Sequence, residues 1–194
     1  MPRALHHEEA GATYHVTTHS VDEALMVRSD RDRKAFLETV ATVVLRYRWE
    51  LLAVSVLDNH YHLLVRTPLA NLAPGMQYLN GTYAQAFNRR HGRRGHLFRA
   101  RYYRKRVVTD AHLVLTIRYI ALNRMEAGIV PSPRPDRWSS YPGVVGPSPC
   151  WPFVARAVLL GFFGPQERAI RRLIAFVEGP RALGRRGDDA ARAP

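Results

Sequence analysis

The chain has 194 residues, with 29 Lys+Arg against 16 Asp+Glu and a formal net charge of +13. At 46% hydrophobic and 10% aromatic it holds enough apolar material for a packed core, which excludes a disordered basic tail. A single cysteine, Cys150, excludes an internal disulfide framework and a cysteine-rich zinc site, and no apolar run approaches the ~18 residues of a membrane span.

Residues 12–20 (ATYHVTTHS) are rich in β-branched and aromatic side chains and predict a strand. Asp30 caps a helix to about Arg46, with Phe36, Leu37, Val40, Val43 and Val44 as its apolar stripe. Residues 49–57 (WELLAVSVL) read as a buried strand, Asp58-Asn59 as a two-residue turn, and 60–67 (HYHLLVRT) as the return strand. After a loop at 68–74, a second helix runs from Gly75 to about Arg90, with Met76, Leu79, Tyr83 and Phe87 on one face. Residues 91–95 form a Gly/Arg loop and 102–108 a fourth strand. Thr109 or Asp110 then caps a third helix to about Ala127, stopped by Gly128 and Pro131. Proline-rich sequence leads to two short helices, at about 153–162 and 165–178.

The order β-α-β-β-α-β, then helix, predicts an α+β protein of ferredoxin-like arrangement. Its antiparallel sheet carries helices on one face, with a further helix and a C-terminal helical extension. The expected division is one domain over 1–146, the extension over 147–180 and a disordered tail over 181–194.

The charge excess points to a polyanion, with nucleic acid as the default, and it is unevenly placed. Between Asp58 and Asp110 there is no acidic residue, while ten cations fall in that window. Nine of them crowd together: Arg89, Arg90, Arg93, Arg94, Arg99, Arg101, Arg104, Lys105 and Arg106. These are the candidate DNA-binding residues. His91, His96, Phe98, Tyr102 and Tyr103 are interleaved with them, so cations for phosphates and rings for unpaired bases lie together.

Within the third strand, His60 and His62 are two apart and share a face, whereas Tyr61, Leu63 and Val65 share the other. Two imidazoles so placed can hold one divalent metal, and imidazole accepts Zn, Mn, Fe or Ni readily and Mg less so. On the third helix, Tyr119 and Asn123 are one turn apart on one face. Asn123 can offer an oxygen ligand, and Tyr119 can attack a phosphorus atom polarised by the metal once its phenol is activated. His15, His19, His96 and His112 remain as further candidates, with His15 and His19 on one face of the first strand.

These runs resemble a known family. The segment Leu57-Asp58-Asn59-His60-Tyr61-His62-Leu63-Leu64 resembles the His-hydrophobic-His motif of the single-tyrosine HUH (IS200-like) transposases, and more specifically the REP-associated tyrosine transposases of bacteria. Further matching runs are Tyr14-His15-Val16-Thr17, Leu72-Ala73-Pro74-Gly75-Met76, Gly95-His96-Leu97-Phe98-Arg99-Ala100-Arg101-Tyr102 and Arg118-Tyr119-Ile120-Ala121-Leu122-Asn123. The resemblance implies that His60, His62 and Asn123 bind Mg or Mn and that Tyr119 is the nucleophile. It further implies a 5′-phosphotyrosine link, a free 3′-OH, and a single-stranded DNA substrate near hairpins. A reducing cytoplasm fits the single cysteine, the lack of a long apolar run gives no membrane partner, and the likeness adds a bacterial, nucleoid-associated setting, while monomer and dimer both stay open.

Two positions depart from the family pattern. Asn123-Arg124 stands where Asn-Pro is usual, adding a cation near the site and altering the expected helix stop. Thr18-His19-Ser20 stands where a glycine commonly follows the first strand. The alternative reading is a non-catalytic nucleic-acid-binding module of ferredoxin-like fold that stacks bases on its sheet, with Tyr61 as the obvious ring.

Overall fold

The computed structural model describes residues 8–146 and 151–180; the expected tail at 181–194 lies outside them. A four-stranded antiparallel sheet is formed by β1 (Ala12–His19), β2 (Glu50–Val56), β3 (His60–Thr67) and β4 (Tyr103–Val107), in the order β2-β3-β1-β4. Helices α1 (Asp30–Tyr47) and α2 (Leu72–His91) are the crossovers of the two halves, as the ferredoxin-like reading requires. They cover one face. The other face carries α3 (Asp110–Glu126), followed by α4 (Tyr141–Val145), α5 (Arg156–Gly161) and α6 (Gln166–Glu178).

Strand alternation sorts the side chains between two cores. Tyr14, Val16, Tyr61, Leu63 and Val65 pack under α1 and α2 against Phe36, Val40, Tyr83 and Phe87. On the reverse face Leu52, Ala53 and Leu64 meet Leu113, Ile117 and Ile120 of α3, and this cluster runs on into Leu159, Leu173 and Val177 of the C-terminal helices. A bulge between Leu51 and Ala53 resets the alternation in β2. Leu51 and Val54 thereby join the α1/α2 core, while the consecutive Leu52 and Ala53 both join the α3 core.

Local chemistry explains the helix ends. The α1 cap is Ser29, one residue earlier than expected, with its hydroxyl accepting from the Asp32 N–H. Helix α2 begins at Leu72 instead of Gly75, because Pro74 falls in the first turn, where a missing N–H costs nothing. Gly75 is set by packing: a Cβ there would run into the Trp49 ring. Thr109 caps α3 by accepting from the His112 N–H at 3.1 Å. The α4 turn lies in the proline-rich stretch, where no helix was expected.

The two sheet edges differ. The outer edge of β2 is taken up by the chain between α3 and α5: Val56 N–H donates to Trp138, Ser140 N–H to Val54 and Ala155 N–H to Leu51. The β4 edge has no such partner strand among the described residues.

Candidate active site

Register places a row of polar side chains on the face beneath α3. Thr17 stands opposite His62, His19 opposite His60, and Ser55 opposite His62 from the other side. His62 is buried, and both its nitrogens are engaged. Its Nδ1 lies 3.1 Å from His15 Nε2 and 3.0 Å from Thr17 Oγ1, and its Nε2 lies 3.3 Å from Asn123 Nδ2. With Nδ1–H donated to Thr17, the Nε2 lone pair is turned to Asn123. His60 is held by Asn59 Oδ1 at 2.7 Å from its Nδ1 and stacks on His19 with ring centroids 4.6 Å apart. The His60 and His62 rings are 5.0 Å apart.

Helix α3 brings its face down onto this row. The Tyr119 ring centroid is 5.3 Å from His62 and 5.8 Å from His15, edge-on to both. One turn later Asn123 is buried, and its Oδ1 has no hydrogen-bond donor. The structure therefore brings His60, His62, Tyr119 and Asn123 together, along with His15 and His19 from β1. Thr17 went unremarked in the sequence reading. The signal was available: it shares a face with His15 and His19 two residues away on either side.

Burial sets the protonation of the cluster. It pulls His60 down to about 4, assisted by neighbouring His19, and His15 to about 4, assisted by His112 and Lys105. His62 is driven well below its ordinary value by burial and then by His15 and His60. All three imidazoles are neutral at pH 7, the form in which they ligate metals. Burial raises the Tyr119 phenol, with Glu126 adding to the rise and the Asn123 amide opposing it. Among the described residues no three His, Cys, Asp or Glu side chains are arranged to hold a metal ion.

The family description "Transposase IS200 like" matches residues 10–123, more than half of the chain. The chain belongs to the IS200-like transposase family. The match ends at Asn123 and so spans His60, His62 and Tyr119. Among solved structures, the REP-associated tyrosine transposase bound to a REP hairpin aligns with TM-score 0.64 at 15% identity, covering 79% of this chain and 90% of that one. A putative transposase from Deinococcus radiodurans R1 aligns at 0.43 with 16% identity, over 60% of this chain and 92% of that one. The tRNA(His) guanylyltransferase of Saccharomyces cerevisiae aligns at 0.47 with 7% identity, over 89% and 81%. Both scores are too low to bear on the fold. No curated protein sequence matches.

In this transposase Arg124 is not the site cation expected from the sequence. It is buried, its Nε donating to Asp136 Oδ1 at 2.9 Å and its Nη1 to the Val56 carbonyl at 2.6 Å. The missing proline lets α3 continue to Glu126, and Arg124 ties that end of the helix to β2. At the other flank of Tyr119, Arg118 donates to the Gly179 carbonyl at 2.7 Å and lies over the Phe176 ring.

The nine expected DNA-binding cations also separate. Arg104 and Arg106 point to the face away from Tyr119, paired with Glu8 and Glu9. Arg90 pairs with buried Asp32 and holds the end of α2 to the start of α1. Lys105 faces the site, opposite His15. Arg89, Arg94, Arg99 and Arg101 are exposed, and Arg93 is half-buried. The backbone of Arg99 is bonded to His19, which places its segment at the border of the site. Among the described residues no helix is long and apolar enough to cross a membrane.

Proposed function

We propose that this transposase is a metal-dependent nickase and strand transferase that cuts and rejoins single-stranded DNA at hairpin sequences through Tyr119. The observation that carries this reading is the meeting of α3 with β3: Tyr119 lies edge-on to His62, and Asn123, one turn on, sets its amide nitrogen 3.3 Å from the His62 Nε2 and leaves its buried oxygen without a donor. The donor set fits a divalent ion: both imidazoles are neutral and the Asn123 oxygen has no donor, and on metal binding the His62 Nε2 would exchange its contact with the Asn123 amide N–H for the ion. His60, His62 and Asn123 would hold it, with Mn favoured over Mg by the nitrogen ligands. When bound, such an ion polarises the scissile phosphate and stabilises the leaving oxygen.

The protein's own groups do the rest. The Tyr119 oxygen gives up its proton and forms a bond to phosphorus. The bond from phosphorus to the 3′ oxygen breaks, and that oxygen takes up a proton and leaves as a 3′-OH. One strand end stays as a 5′-phosphotyrosine ester. Attack by a 3′-OH on that ester reverses the step and restores the phenol, so rejoining needs no external energy source. His15 and Thr17 fix the His62 ring, and Asn59 and His19 fix His60, so both are held before substrate arrives. The hairpin substrate is inferred from the structural neighbour, which is bound to a REP hairpin.

The alternative, a non-catalytic module stacking bases on its sheet, is not supported. Tyr61, the ring that reading relies on, is fully buried under α1 and α2 with its hydroxyl bonded to Asn80, and so is closed to a base. The test is cleavage of hairpin oligonucleotides from the flanks of the protein's own gene, with Mn. Tyr119→Phe is expected to lower cleavage by at least about 10³-fold while DNA binding persists. Cutting by the Phe variant at the wild-type rate would remove Tyr119 as nucleophile.

A further inference from the structure

The edge strand β4 carries a second set of groups facing the site. Alternation divides it cleanly. Arg104 and Arg106 stand opposite Val16 and Tyr14 and turn to the α1/α2 side. Tyr103 and Lys105 stand opposite Thr17 and His15 and turn to the Tyr119 side. Thr17 is the residue whose hydroxyl contacts His62. Two strand spacings, about 10 Å, therefore separate Tyr103 from His62.

The basic segment offers several rings, but the fold uses most of them for packing. Phe87 is buried, Phe98 packs against Tyr61 and Tyr83, and Tyr102 packs against the same core. Tyr103 is 46% exposed, and it lies on a sheet edge that no other strand covers among the described residues. Lys105, two residues along on the same face, is also exposed, and its charge is felt by both His15 and His112. The glutamates that neutralise its neighbours Arg104 and Arg106 are on the opposite face.

We infer that Tyr103 and Lys105 form a subsite for one unpaired nucleotide of the substrate strand, the ring stacking on the base and the ammonium meeting its phosphate. This rests on the DNA-processing reading above and adds to it the place where a base outside the reacting linkage is held. Stacking on an exposed phenol tolerates any base and requires one free of a duplex stack. A compact ammonium on a flexible stem follows a phosphate without demanding fixed geometry. The subsite would register the strand so that a neighbouring phosphate falls between His62 and Tyr119.

The test uses the full chain with Tyr119→Phe, so that the strand stays uncut. A hairpin oligonucleotide with a single-stranded flank carries 2-aminopurine at successive flank positions. Quenching is expected to peak at one position. Tyr103→Ala should abolish that peak and weaken binding about 10-fold, whereas Tyr103→Phe keeps both, because stacking does not need the hydroxyl. The side chain is exposed, so the thermal midpoint of Tyr103→Ala should match its parent and exclude misfolding as the cause. Equal affinity and equal quenching with and without the Tyr103 ring overturns the subsite and leaves the DNA reading standing. Failure of the parent to bind the oligonucleotide overturns both.

Discussion

The two faces of one sheet are built from alternate residues of the same strands, yet they do different work. On the α1/α2 face, Tyr61, Leu63 and Val65 of β3 disappear into a core of aromatic and aliphatic side chains. On the α3 face, the intervening His60 and His62 stand in a polar row with His15, Thr17 and His19. That row is closed over by a helix bringing a tyrosine and an unsatisfied amide oxygen. Buried polar groups cost stability unless bonded. The dry face supplies the surplus that lets its reverse hold imidazoles away from water.

Substitutions one residue apart should separate these roles most sharply. Tyr61→Ala empties the centre of the dry core and is expected to cost about 3–5 kcal/mol in urea unfolding, a large share of a domain's stability. His62→Ala is expected to keep the fold and weaken Mn binding by calorimetry at least about 10-fold. Unchanged Mn affinity would exclude His62 as a ligand.

A smaller effect separates the same faces by pH. Burial alone would raise the Asp32 carboxyl, but hydrogen bonds from the Arg28 N–H, His91 and Arg90 outweigh it and hold it down to about 2. A depressed carboxyl stabilises the fold above its unfolded value of 3.8 and loses that contribution as pH falls toward about 2. Stability on the order of 2 kcal/mol should therefore fade across that acid window. Asp32→Asn should lose this stabilisation at neutral pH and flatten the acid dependence, as followed by urea midpoints at successive pH values.

The smallest expected effect compares neighbouring cations on opposite faces of β4. Lys105→Ala should lower the salt slope of DNA binding by about 1, and Arg106→Ala, whose guanidinium is engaged by Glu9, by less. Equal slopes would mean that DNA contacts both faces of the strand.

Much of this was legible because its signals are local. The two-residue spacing of His60 and His62 and the one-turn spacing of Tyr119 and Asn123 each fix a shared face without reference to the rest of the chain. The element order was similarly readable from hydrophobic period and turn residues. What escaped depends on partners remote in sequence. Arg90, Arg104 and Arg106 all counted toward the basic window, but their acids sit far upstream at Asp32, Glu8 and Glu9. Arg124 looked like a site cation because Asp136 and the Val56 carbonyl reach it only in the folded chain. The α2 start lies three residues before the expected Gly75, inside the stretch read as a loop, because the first helical turn accepts Pro74.

The edge of β4, which no strand covers among the described residues, has a consequence beyond DNA. A bare edge strand is a template on which a second chain can add its own strand, the first step of aggregation. Here Arg104, Lys105 and Arg106 occupy three of its positions, next to exposed Val108 at the end of the strand. Like charges brought face to face oppose such pairing. Of the three, Lys105 is the exposed cation that neither Glu8 nor Glu9 offsets, and its charge disfavours the addition of a second strand at this rim.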